Sequence, residues 1–125
     1  MKLGDSVEVT RTFSLQHLWD YTALSDHYVA GGQIPEPLIG SMFSYLLGVK
    51  LPGLGTNYLK QETRFQSGAV TGDVLTARVE ITRLRPDKQL VDLATTCRRD
   101  DGVIIASGRA LVYVGDLMRK TDFET

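Results

Sequence analysis

Residues 52–81 read PGLGTNYLKQETRFQSGAVTGDVLTARVEI, and this stretch decides the fold. A Gly/Pro turn opens it, an extended run follows over residues 58–65, and a Gly72-Asp73 bend leads into a second run. There Leu75, Ala77, Val79 and Ile81 face one way while Thr76, Arg78, Glu80 and Thr82 face the other, the period-two signature of a strand with one apolar side. Just upstream, Leu38, Ile39, Met42, Phe43 and Leu46 recur at three-and-four spacing, with Pro35 and Pro37 near the start and Gly48 past the end, which predicts a helix over about 36–47. An apolar helix followed by long strands is the frame of the chain.

The flanks extend that frame. Val7, Val9, Arg11 and Phe13 alternate with Glu8, Thr10 and Thr12 as a strand, and Ser14 can cap a helix through Leu15, Leu18, Trp19 and Leu24. Residues 25–34 have no helical period and form a loop. After the Arg85-Pro86-Asp87-Lys88 turn comes a strand over 90–98, and Asp100-Asp101-Gly102 marks a hairpin into a last strand over 103–114. About five mostly antiparallel strands need a cover for their apolar face, and the only long amphipathic helix is the one at 36–47. The fold class is α+β, a sheet wrapped around one helix. Small residues Gly40, Ser41 and Ser44 on that helix point to close approach by the sheet or to a ligand at its edge. Cys97 shares a strand face with Val91, Leu93 and Thr95, the setting of a buried structural thiol.

Composition sets the outer bounds. With 125 residues and 42% hydrophobic content, the chain fits a single domain over 1–125, its residues 116–125 a polar, frayed tail. Fourteen basic and 15 acidic residues give a net charge of -1, no field for a nucleic acid or an anionic membrane surface. The single cysteine forms no intrachain disulfide and the start MKLGD is polar, which implies a reducing, cytoplasmic location. The apolar run at 38–51 is broken by Gly40, Ser41, Ser44 and Lys50 and falls short of the ~20 residues of a spanning helix. Two histidines and one cysteine lack metal-ligand spacing, and no Gly-rich phosphate loop follows a strand, so neither metal nor cofactor is expected.

Three segments carry a family resemblance: LLGVKLPG at residues 46–53, YLKQETRF at 58–65 and GDVLTARV at 72–79. In this order and spacing they resemble the MaoC-like family of (R)-specific enoyl-CoA hydratases and acyl-thioester dehydratases. The resemblance implies a hot-dog fold, a homodimer or higher homo-oligomer with sites between subunits, and hydration or dehydration of an acyl thioester. Coenzyme A or an acyl carrier then enters only as part of the substrate. The alternatives are a hot-dog thioesterase and a noncatalytic acyl-thioester-binding domain.

The family's active-site signature, roughly G-D-x-N-P-x-H, departs here. Ala23-Leu24-Ser25 matches its lead-in, but Asp26-His27-Tyr28 follows at once, and the simplest alignment deletes the Asp/His pair. A second alignment, to the H-F-P-G-x-P-x-M-P-G-x-L loop of the related fatty-acid dehydratases, runs without a gap over residues 27–38 and puts His27 in the catalytic histidine's place. The glutamate of those relatives then falls on Ser41.

The candidates follow from what the reaction needs: a base and an acid for the protons, and a donor for the thioester oxygen. Histidine serves the first two roles near neutral pH, which favours His27. His17, between Leu15 and Leu18 of the first helix, reads as lying on a solvated or structural face. Asp26 can orient His27 or the corresponding histidine of the partner subunit, or form a turn. Glu36, at a helix start where a carboxylate is favoured, is a candidate base, most directly for thioester hydrolysis, or simply complements the dipole. The amides of Glu36, Leu38 and Ile39 are the available donors, since Pro35 and Pro37 have none. Ser41 can contact a substrate hydroxyl, or be a small residue under the sheet. Gly72-Asp73 reads as a structural bend with a capping acid, and Arg98 and Arg99 as contacts to coenzyme A phosphates or as exposed, solvated residues next to Asp100 and Asp101.

Overall fold

The computed structural model describes residues 1–14, 16, 33–53 and 57–115. Five strands, β1 (Ser6–Thr12), β2 (Asn57–Phe65), β3 (Val74–Arg85), β4 (Leu90–Arg99) and β5 (Ile104–Tyr113), form one sheet in the order β1-β3-β4-β5-β2. Every neighbouring pair is antiparallel. Between β1 and β2 in sequence lies helix α1 (Glu36–Tyr45). The helix predicted to start at Ser14 and the tail at 116–125 lie outside the described residues.

The alternation read from sequence is the alternation observed. Leu75, Ala77, Val79 and Ile81 of β3 and Val91, Leu93, Thr95 and Cys97 of β4 are all buried on one face. The helix turns Ile39, Met42, Phe43, Leu46 and Leu47 onto that face, the i, i+3, i+4, i+7, i+8 stripe of an amphipathic helix. Register shifts at Tyr58/Lys60, Ile81/Arg83 and Cys97/Arg98 bend three strands, which is how bulges curve a sheet around what it covers. No helix among the described residues is long and apolar enough to cross a membrane.

Two expectations change. The helix does not stop before Gly48: it widens into a π turn over Leu46–Lys50, closed by bonds from Leu51 N to Leu46 O (2.8 Å) and from Gly53 N to Leu47 O (3.0 Å). The wider turn keeps both Leu46 and Leu47 fully buried before the chain leaves. Nor does the sheet press on the small helix residues. Ser41 and Ser44 are exposed, and a Cβ added at Gly40 would meet nothing within 4 Å. They lie on the face turned away from the sheet.

Close approach occurs instead between β5 and β2. A Cβ at Gly108 would run into the Glu62 carbonyl, so this strand position admits only glycine. Gly108→Ala is expected to lower stability by about 1–3 kcal/mol, read from urea unfolding midpoints, and an unchanged midpoint would show that β2 yields freely. Cys97 is fully buried, and desolvation of its thiolate pushes its pKa up to about 11. The fold favours the neutral thiol, so Ellman's reagent at pH 8 should label the denatured protein once per chain and leave the native protein unlabelled.

Candidate functional site

The start of α1 is fastened before it is used. Gln33 pairs with Val70 in an isolated antiparallel bridge, and Ile34 N donates to Ala69 O at 2.9 Å. These bonds tie the residues before the helix to the connection between β2 and β3. Pro35 then holds an extended cap conformation (φ -64°, ψ 144°), and the helix begins at Glu36 without a side-chain cap.

The β2–β3 connection is itself braced. Gln66 N and Ser67 N both donate to Ile105 O, at 2.8 and 3.3 Å. The Gln66 side chain reaches Ser107 Oγ at 2.5 Å. Arg99, paired with Asp101 at 3.0 and 3.2 Å, donates to Gly68 O at 3.3 Å. At the far end Gly72 takes φ +90°, where a side chain would be strained, and Asp73 Oδ2 accepts from Val70 N at 2.9 Å. The structural reading of Gly72-Asp73 holds. Arg99 is thus engaged by Asp101 and the Gly68 carbonyl, and is not simply solvated beside the hairpin acids.

Between the helix start and this connection lies a groove of about 240 Å³, lined among others by Gln33, Glu36, Ile39, Phe65, Gln66 and Ser67. Its floor is apolar, with Ile34, Ile39 and Ala69 each at most 3% exposed, and its rim carries a carboxylate and two amide side chains. Such a combination orients a ligand of mixed polarity.

The candidates divide. Glu36 and Ile39 meet at this groove. Leu38 is partly buried against the core, and its amide donates to Pro35 O at 3.1 Å, which removes it from the donors expected at the helix start. Ser41, exposed rather than under the sheet, donates to Leu38 O at 2.6 Å and lines a different cavity. Asp26, His27 and His17 lie outside the described residues. Gln33 and Gln66 were not singled out from sequence: an amide at the end of a strand or loop carries no pattern of its own. Among the described residues no three His, Cys, Asp or Glu side chains gather as a metal site.

No family model matches the chain. Curated relatives do. It is 38% identical over 128 residues to an (R)-specific enoyl-CoA hydratase of Rhodospirillum rubrum, covering 91% of this chain and 88% of that protein. It is 31% identical over 126 residues to an (R)-specific enoyl-CoA hydratase of Aeromonas caviae, covering 90% and 94%. A solved (R)-hydratase from A. caviae superposes with a TM-score of 0.85 at 30% identity, covering 91% of this chain and 97% of that one.

The brace predicts a pH effect. The Arg99 side chain and then the Val103 amide hold the Asp101 carboxyl below its usual 3.8, so the pair contributes stability above that value and loses it as pH falls through the lowered one. Asp101→Asn should therefore unfold at lower urea than the parent at pH 7, and the two midpoints should converge well below pH 3.8. A constant gap down to the lowest pH would mean that Asp101 acts without its charge.

Proposed function

This chain belongs to the MaoC-like hot-dog family of (R)-specific enoyl-CoA hydratases, and from that premise we propose that its chemistry takes place at the groove beside the start of α1. The chain is a hydro-lyase of acyl-CoA thioesters, adding water to an enoyl thioester or removing it from a 3-hydroxyacyl one. The observation that carries this is the 38% identity to a hydratase along nearly the whole length of both chains.

In the forward direction water oxygen bonds to the β-carbon, the double-bond electrons move toward the thioester oxygen, and a proton is delivered to the α-carbon. Two side chains divide the proton work in our reading. Glu36, at the groove, takes a proton from water as general base. His27, six residues before Gln33 in the chain, gives one to the α-carbon, and Asp26 orients it. The start of the helix supplies the third need. Its macrodipole and the Glu36 amide favour the negative charge that develops on the thioester oxygen, while Ile39 supports the acyl chain.

We also propose that the chain works as a homodimer. β1 and β2 pair on one side only among the described residues, and β2 exposes Leu59 at 58%. Open edges of this kind are normally paired or covered.

His27→Ala and Glu36→Gln should each lower hydration of crotonyl-CoA by about a hundredfold or more, followed as loss of the conjugated absorbance. Full activity in either variant removes that residue from the scheme. Because the Glu36 carboxylate borders the groove, thiol release is measured alongside. A parent enzyme that releases thiol through Glu36 without hydrating would establish hydrolysis instead.

A further inference from the structure

A second cavity, of about 510 Å³, lies on the other flank of α1, lined by Thr10, Arg11, Thr12, Phe13, Ser41 and Tyr45. Its volume is within the range of small-molecule sites. Arg11 is the unusual member. It is opposite Leu75 in the β1–β3 register, so it occupies the face that Val7, Val9 and Phe13 give to the apolar side. Unlike those three, Arg11 is exposed, so its guanidinium stays open to solvent and to a ligand at the edge of the apolar side.

Nothing among the described residues neutralises it. Arg78, Arg85, Arg99 and Arg109 each pair with a carboxylate, whereas Arg11 stacks on the Tyr45 ring, its Cζ 5.3 Å from the centroid. Stacking of this kind fixes a planar cation in place and leaves its N–H edge free to bind an anion. One wall of the cavity is β1, which among the described residues is paired on one edge only, and Ser41 and Thr12 bring hydroxyls.

The two cavities are joined by low ground. Nine residues separate Glu36 from Tyr45, about 13 Å along a helix axis, and the face between them carries Gly40, Ser41 and Ser44. A Cβ at Gly40 would meet nothing, and both serines are exposed, so a narrow chain can cross the helix without displacing a side chain.

We propose that the Arg11–Tyr45 cavity binds the phosphate at the far end of the substrate's pantetheine arm, with the arm laid over Gly40 and Ser41 and the thioester at the Glu36 groove. This rests on the hydro-lyase reading and adds to it a residue that recognises the carrier rather than the acyl group. A phosphate ester ends the arm in coenzyme A and in an acyl carrier protein alike. Arg–phosphate pairing supplies both charge and bidentate geometry.

The test compares three thioesters of one acyl group: crotonyl-CoA, crotonyl-4'-phosphopantetheine and crotonyl-pantetheine. Arg11→Met should raise KM about tenfold or more for the two phosphorylated esters, leave kcat within twofold, and leave the unphosphorylated ester unchanged. A rise confined to crotonyl-CoA places the nucleotide phosphates, and not the phosphopantetheine ester, at Arg11. Equal changes with all three esters, or none, overturn the proposal. Tyr45→Leu should weaken the phosphorylated esters in the same pattern, and far-UV circular dichroism verifies that both variants fold.

Free coenzyme A, titrated calorimetrically into parent and Arg11→Met protein, separates this inference from the one beneath it. Arg11-dependent binding without turnover by the parent would sink the hydratase reading and keep the anion site. Turnover with Arg11-independent binding would do the reverse.

Discussion

The structure depends on a single act of burial. Five helix side chains, Ile39, Met42, Phe43, Leu46 and Leu47, are at most 2% exposed against the curved sheet. At roughly 2 kcal/mol each, they are what makes folding the five-stranded sheet around α1 favourable. Because the stripe must face the sheet, the remaining helix surface is fixed as well: Glu36 at one flank, Gly40, Ser41 and Ser44 outward, Tyr45 toward β1. The site inherits its geometry from the core. What the core does not determine is where along its axis the helix begins, and the Ile34–Ala69 bond and the Gln33–Val70 bridge do that.

This division explains what could be read from residues alone. Strand β5 was legible because the Asp100-Asp101-Gly102 hairpin announces it, and β3 and β4 because their alternation is driven by burial on one face, a local signal. The helix was legible for the same reason at a different period. Its C-terminal end was not. Gly48 has the composition of a stop, but Leu46, Leu47 and Leu51 all gain by reaching the core, and a π turn through Gly48 lets them do so. Tertiary burial overrode the local preference. Gly40, Ser41 and Ser44 misled in the opposite way. Small residues permit close approach but do not compel it, and sequence cannot say which face of a helix a neighbour will choose.

The site was legible in part, and the reason is again physical. Glu36 stands out because it lies between two prolines at a helix start, a purely local feature. Arg11 was visible as a cation in an apolar register, yet its significance needed the position of Tyr45, which is 34 residues away in the chain. Gln33, Gln66 and Ser67 come together only through the bonds from residues 66 and 67 to Ile105 and from Ile34 to Ala69. One buried detail has no counterpart in the sequence reading at all. Thr95 is 1% exposed with no hydrogen-bond partner for its hydroxyl among the described residues, a cost carried on the inner face of β4.

In the proposed scheme the helix start is asked to serve two anions. A Glu36 carboxylate and a thioester enolate both gain from the positive end of the dipole, and both together would repel one another. The proton transfer resolves this. In that scheme, as Glu36 takes a proton from water it becomes neutral, while the electrons displaced by the attacking oxygen carry negative charge to the thioester oxygen. One negative charge faces the helix start before the step and one faces it after; only its seat changes, from the side chain to the substrate. The same helix field then faces the charge on the side chain before the step and the charge on the enolate after it, with no reorientation of dipoles in between. The proline-poor donor set fits that arrangement. With Pro35 and Pro37 lacking N–H groups and the Leu38 amide bonded to Pro35 O, stabilisation must come mainly from the helix as a whole, and a field of that extent is shared by two nearby atoms more readily than a single hydrogen bond could be.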